Sequence, residues 1–342
     1  TDHNSHMSER TFAELLLLRG ADQQVSGPAN YMENCGDGHR PMTFAGLEGQ
    51  LLGVGMAAHA DTSLYDGDTA ATVTSLATQG IPIVPHTEKW TVANLAVLAA
   101  AGLKGIEVFN LHAQLDPKIR RAFLSLEPFQ PSLDVLPYWV DPLQIEQPDL
   151  AFMTVGQRPA LYEAKWDELL AQGLNFFGTA ATDAHENLFP GTTRDGERID
   201  SFRRIMRWVS NHLLVTDMSA AAAKTAVTNG RFAMVFEALG TPVGFGFHAE
   251  VSSAVVEMGS TQAFVAGQTH LKLALPSLHP SSPRGNRTPV MKLRILKVAS
   301  TGATVVAEAT DAAIDFVATQ AGVYRAEIKI QPRHLSDFLS YD

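Results

Sequence analysis

The chain has 342 residues, 45% hydrophobic and 18% charged, a globular composition with room for one large α/β domain and a smaller second one. Acidic residues outnumber basic ones 36 to 26 for a formal net charge of -10, so no basic stripe exists to neutralise a phosphate backbone, and nucleic acid is not expected as a partner. The single Cys35 excludes an internal disulfide and a cysteine-rich zinc site, and no apolar run reaches the roughly 20 residues of a membrane helix.

In chain order, the spacing of Phe12, Leu15 and Leu16 suits a short helix over 8–18. Residues 20–42, rich in Gly, Asn, Asp and Pro, read as a long loop. Residues 42–55 read as strand material broken by glycines, with Glu48 its one charge. A lone carboxylate in such a run needs a partner when buried, and an edge position or a metal ion would supply one. His59 follows. A helix is expected over 68–79, a strand over 81–86 ending in His86, and a helix over 90–101. A strand over 105–110 then ends in Asn110, with His112 just beyond it. This strand–helix rhythm predicts a parallel sheet.

Residues 113–160 interrupt the rhythm with seven prolines (117, 128, 131, 137, 142, 148, 159) and read as an insertion or cap over the mouth of a site. An amphipathic helix over 162–172 stops at Gly173, and a strand over 174–182 stops abruptly at Asp183-Ala184-His185. Side chains two apart on extended backbone point the same way, so Asp183 and His185 can reach one metal ion. A surface turn with a capping Asp and a solvated His is the plainer alternative. Beyond it come a polar loop over 186–198 containing Arg194, a helix over 200–211 with Arg203, Arg204 and Arg207 on its wet side, a strand over 212–215 and an Ala-rich helix over 219–228.

From about residue 240 helical periodicity gives way to alternating runs at 261–265, 270–275, 290–298, 304–308, 313–317 and 322–330. That pattern predicts an antiparallel β-sandwich. The expected domains are therefore 1–238 and an all-β accessory domain over 239–342, whose His270 and His279 read as surface or loop residues.

His3, Glu48, His59, His86, Asp183 and His185 lie at or near the ends of short apolar runs. In a parallel α/β layout those ends converge on one face, where barrel enzymes carry their chemistry. Imidazoles mixed with carboxylates suit Zn, Mn or Fe, whereas Mg and Ca prefer oxygen shells. Glu48 is of the type that bridges two ions about 3.5–4 Å apart.

Thr1-Asp2-His3-Asn4, Gly46-Leu47-Glu48, His59, Pro85-His86, residues 105–110 and Thr182-Asp183-Ala184-His185 together resemble the ordered motifs of the PHP (polymerase and histidinol phosphatase) superfamily of metal-dependent hydrolases. The resemblance runs from residue 1 to about 235. It implies a distorted seven-stranded (β/α) barrel, a site of two or three divalent transition-metal ions (Zn, Mn or Fe), and hydrolysis of phosphate esters of a small-molecule substrate by a metal-bridging hydroxide. Carried over by position, it implies His3, Glu48, His59, His86, Asp183 and His185 as metal ligands. Glu48, Asp183 and His185 would be the catalytic centre, and Asp2 would orient His3 from behind. Arg194, Lys89, His112 and Asn110 are candidates for holding the substrate.

The chain departs from the family at its start, because members open with a His-x-His motif and nothing before His3 supplies one. The expectation is an N-terminally incomplete barrel. Alternatively, Ser5-His6-Met7 is a cloning remnant with Met7 as the native start. A second register takes His59-Ala60-Asp61-Thr62 and Asp66-Gly67 as the first motif, moving His86 to the second motif and making Glu107 the bridging carboxylate. Two other functions stay open: hydrolysis of a carboxylic ester, amide or carbamate at the same metals, and a non-catalytic scaffold. Cytoplasmic and exported locations are both compatible with the sequence.

Overall fold

The computed structural model describes residues 22–25, 30–35, 40–58, 60–141, 147–153, 155–186, 191–279 and 287–335. It is a mixed α/β protein with eight α-helices and several sheets among the described residues, and these sheets form no closed barrel. The chain divides into two compact units: residues 1–107, 174–178 and 213–232, and residues 108–173, 179–212 and 233–342. The helix expected over 8–18 lies outside the described residues.

In the first unit, residues read as a loop contain two two-residue strands, β1 (Gln23–Gln24) and β2 (Tyr31–Met32), and β2 pairs antiparallel with both β1 and β3 (Met42–Thr43), which opens the segment read as strand material. Strands this short show no alternation, which is why their sequence reads as aperiodic. The main sheet has the order β4-β5-β6-β7-β8, from β4 (Ala45–Glu48), β5 (Leu52–Met56), β6 (Ile81–Val84), β7 (Gly105–Asn110) and β8 (Phe177–Ala181). The ends of β7 and β8 belong to the second unit.

The parallel sheet expected from the strand–helix rhythm is found only in part. β4–β5 and β5–β6 are antiparallel, and β6–β7 is parallel. The β4–β5 reversal comes from a tight hairpin between Glu48 and Leu52, too short to hold the helix that a parallel connection needs, whereas β5–β6 is antiparallel although a helix lies between the two strands. Gly49 is required in that hairpin, since a Cβ there would meet the Tyr65 carbonyl oxygen at 1.9 Å.

Helices Ala70–Ala77 and Val92–Ala100 each start two residues later than read, because Thr69 and Thr91 are their N-caps and accept from the backbone N–H of Thr72 and Asn94. Leu52, Ile81, Ile83, Phe177 and Phe232 form the core of this unit. Gly105 lets Phe177 pack directly on the backbone of β7, where a Cβ would meet its ring at 2.4 Å. Phe177 N–H donates to Lys104 O, joining the starts of β7 and β8. The two strands therefore run the same way and end at the same edge.

The second unit holds the Pro-rich stretch, which is largely helical: Leu111–Leu115, Pro117–Ile119, a π-turn over Arg120–Leu124, and Gln130–Val140. Pro117 and Pro131 sit in first turns, where a missing N–H costs nothing. The helix read over 162–172 spans Ala160–Ala171. Phe109, Leu111, Leu115, Val135, Phe152 and Trp208 belong to one core, with Phe152 and Trp208 edge to face at 5.4 Å.

The helix read over 200–211 is only Phe202–Met206, and β9 (Ser210–Leu213) begins earlier than expected. Arg204 is not on its wet side. It is 1% exposed, with Nε 2.9 Å from Asp149 Oδ1 and Nη2 2.5 Å from Asp195 Oδ2. Asp149 lies in the single 3-10 turn Pro148–Leu150 and Asp195 in a loop turn, so the spacing along the helix gives no sign of them. The Ala-rich helix spans Ala220–Thr228, capped by Ser219, and is followed by β10 (Phe232–Val235).

Beyond residue 240 the chain is antiparallel. β11 (Thr241–Val243) pairs β15 (Ser277–His279). A four-stranded sheet, β13-β12-β14-β18, is built from β12 (Phe247–Val251), β13 (Ala254–Glu257), β14 (Thr269–Leu273) and β18 (Ile314–Val317). A three-stranded sheet, β17-β16-β19, comes from β16 (Val290–Ala299), β17 (Gly302–Thr310) and β19 (Tyr324–Gln331). Leu271 and Leu273 from the first and Met291, Leu293 and Ile295 from the second share one core. The run read at 261–265 forms no strand, and β12 and β13 were not foreseen.

Helix Ala160–Ala171 is tied to β19 by Arg325, whose Nε and Nη2 donate to Asp167 at 3.1 and 3.3 Å while the guanidinium lies over Trp166. No helix among the described residues is long and apolar enough to cross a membrane.

Candidate metal centre

The neighbouring ends of β7 and β8 carry the site. Asn110 closes β7 and caps the Leu111–Leu115 helix, its Oδ1 accepting from Ala113 N–H at 2.9 Å. That start places His112 in the first turn. After β8 the chain turns at Asp183, a non-glycine residue in the left-handed region at φ 49°, and again at Glu186 at φ 53°. Asp tolerates that region better than most residues. Between these turns His185 folds back so that its Nδ1 lies 2.9 Å from the Asp183 carbonyl oxygen.

His112, Asp183 and His185 are the group of three His, Cys, Asp or Glu residues, among those described, whose ligand atoms all lie within 4.8 Å of one another. The geometry fits a cation. The Asp183 carbonyl can only accept, so His185 Nδ1 is the protonated nitrogen and Nε2 keeps its lone pair, the arrangement that orients a histidine ligand. His112 Nδ1 is buried without a hydrogen bond, yet stands 3.2 Å from Asp183 Oδ2. Two ligands on one tetrahedral ion stand roughly 3.3 Å apart when each bond is about 2.0–2.1 Å. The Asp183 side chain is 5% exposed, whereas the two imidazoles are 24% and 27% exposed, so the carboxylate is sheltered and the rings are partly accessible. Asn110 Nδ2 points at Asp183 Oδ2 from 3.5 Å. The rings of His112 and His185 meet edge to face at 5.0 Å.

Of the residues expected from the sequence, the structure brings together Asp183, His185, His112 and Asn110. His112, foreseen as a substrate contact, stands at ligand distance instead. Arg194 is exposed on its loop. Glu48, His86 and Lys89 lie in the first unit, and the group of three includes none of them. Glu48 is half-buried at the end of β4, and Lys89 is exposed. His86 is also left-handed, at φ 49°, and its N–H donates to the Glu107 carboxylate at 2.9 Å. Thr87 Oγ1 donates to the Glu107 carbonyl at 2.6 Å, so the carboxylate and carbonyl of Glu107 both hold this turn. His3, Asp2 and His59 lie outside the described residues.

One element of the site went unforeseen. Arg198 Nη2 donates to the Glu186 carbonyl at 2.8 Å, and its Nε and Nη2 hold the fully buried Asp200 at 2.9 and 3.0 Å. A polar loop without periodicity gives no signal for such a pairing.

Compared with family models, with curated proteins and with solved structures, the chain finds no match.

Proposed function

We propose that this protein is a metal-dependent hydrolase of the PHP type, acting on phosphoric esters. The observation that carries the reading is the His112–Asp183–His185 group, with one histidine fixed as the Nδ1–H tautomer by a backbone carbonyl and the other offering a buried nitrogen that makes no hydrogen bond. Two nitrogens and one oxygen suit Zn, Mn or Fe. Three protein ligands leave room for a further ligand, as catalytic sites do and structural ones do not. When bound, such an ion supplies Lewis-acid polarisation of an ester oxygen and a water acidified towards neutrality.

The chain's own residues do the rest. Asp183 offers its sheltered carboxylate to the cation, Asn110 restrains that carboxylate, and the Asp183 carbonyl keeps the lone pair of His185 on Nε2. Exposed Arg194 is the candidate for holding the anionic substrate. The proposal includes the fold: β6, β7 and β8 would be successive staves of a distorted barrel, a reading supported by the shared direction of these strands and by the site at their ends. The resemblance further assigns His3, Glu48, His59 and His86 as ligands. Metal stoichiometry decides that point, since one equivalent confines binding to the group of three and two or three bring the others in.

The functional test is turnover of chromogenic phosphomonoesters, phosphodiesters and carboxylic esters by protein loaded with Zn, Mn or Fe. Phosphoester turnover that is lost on chelation and in Asp183→Asn supports the proposal. Carboxyl-ester turnover alone moves the reading to the other ester class. No turnover of any ester by protein shown to hold metal contradicts a hydrolase.

A further inference from the structure

We propose that Arg198 is a positioning residue for this metal site, holding the turn that aims His185. The inference rests on the metal reading. Residues 183–186 contain two non-glycine residues in the left-handed region, Asp183 and Glu186, one on each side of Ala184-His185. Such backbone persists only where its surroundings hold it, and it clusters at functional sites. One restraint is internal, the bond from His185 Nδ1 to Asp183 O. It cannot fix Glu186, which lies beyond the closed ring.

The second restraint is Arg198. Its Nη2 donates to the Glu186 carbonyl at 2.8 Å, immediately after the ligand. The guanidinium is itself oriented by a two-pronged contact with Asp200, a residue fully buried in the fold, at 2.9 and 3.0 Å. The Arg198 backbone is fastened as well, because its carbonyl accepts from Arg204 Nη1 at 2.6 Å. The planar guanidinium is the group suited to this task, since it bonds a carboxylate and a carbonyl at once in fixed directions. An ammonium is a single point and holds one or the other well. The turn is thus anchored to the interior on the far side of the ligand from β8.

The test is a Co²⁺ titration of the full chain, read by affinity and by the visible d–d absorption that reports ligand geometry, beside thermal unfolding. Arg198→Gln is expected to weaken Co²⁺ binding about ten- to a hundredfold, the usual cost of losing a group that orients a ligand, and to change the absorption band. Arg198→Lys should fall between it and the wild type. Arg203→Gln is the control: its side chain pairs with Glu197, Asp195 and Asp149 and makes no hydrogen bond or ion pair with the described residues 183–186. Wild-type affinity and spectrum in Arg198→Gln would overturn the inference. If that variant does not fold, Arg198→Lys carries the test, and an unchanged affinity and band there overturn it equally. A wild-type protein that binds no Co²⁺ removes the metal reading itself, a result distinct from binding that ignores Arg198.

Discussion

The Nδ1–H of His185 donates to the carbonyl oxygen of Asp183, 2.9 Å away and two residues earlier in the chain. One bond closes the turn and sets the tautomer, so that Nε2 is the ring nitrogen that keeps the lone pair. A strand end with Asp-x-His thereby becomes two ligands held in one orientation.

Asp183→Asn keeps the shape of the side chain and the backbone bond to His185 while removing the charge. Metal affinity should fall by more than about a hundredfold, beyond the ten- to hundredfold that supporting groups cost. Competition with a chromophoric chelator measures it, and an unchanged affinity would take Asp183 out of the site.

Asn110→Ala removes the cap of the Leu111–Leu115 helix and should cost about 1 kcal/mol of stability in urea unfolding, with a weaker metal site beside it. Asn110→Ser restores a capping oxygen without placing a second carboxylate beside Asp183, so its stability should return towards wild type. Equal stabilities for Ala and wild type would show that the cap does not hold this helix.

Much of this was legible in the sequence and some was not, for identifiable reasons. The run 105–110 is apolar except for Glu107 and its closing Asn110, and is β7 as read. The stop at Asp183 was visible because a buried strand cannot carry that carboxylate onward. The ligand distance of His112 depends on the helix beginning one residue after β7, and five residues are too few to show a helical period. The antiparallel hairpin of β4 and β5 carries none of the usual two-residue turn signals. Arg204 and Arg198 find their partners through loops, where residue type alone does not say which charge meets which.

Glu237 makes the stability of the second unit depend on pH. Burial alone would raise its pKa, but hydrogen bonds from Ser210 Oγ and Thr241 Oγ1, both at 2.6 Å, and from His212 outweigh it and hold the carboxyl below the usual range. A depressed folded-state pKa contributes stability above the unfolded value near 4.5, and that contribution is lost as pH falls through the folded value. Glu237→Gln should therefore destabilise by about 1–3 kcal/mol at pH 7 and by progressively less below about pH 4.5. Chemical unfolding across that range checks it, and a difference that grows on acidification would contradict the assignment.

Arg204→Ala removes a guanidinium that is 1% exposed and serves Asp149, Asp195, Thr193 and the Arg198 carbonyl. The expected cost is about 3 kcal/mol, the low end for breaking a buried pair, because Asp149 and Asp195 stay more than a third exposed. Urea unfolding measures it, and a loss under about 1 kcal/mol would mean that solvent replaces these bonds.

The central claim is that His112, Asp183 and His185 hold a transition-metal ion, and the most direct test is elemental analysis of the purified protein beside His112→Ala and Asp183→Asn. At least one equivalent of Zn, Mn or Fe is expected in the wild type, with a large loss in both variants. Metal well below one equivalent, or a full complement in both variants, would contradict it.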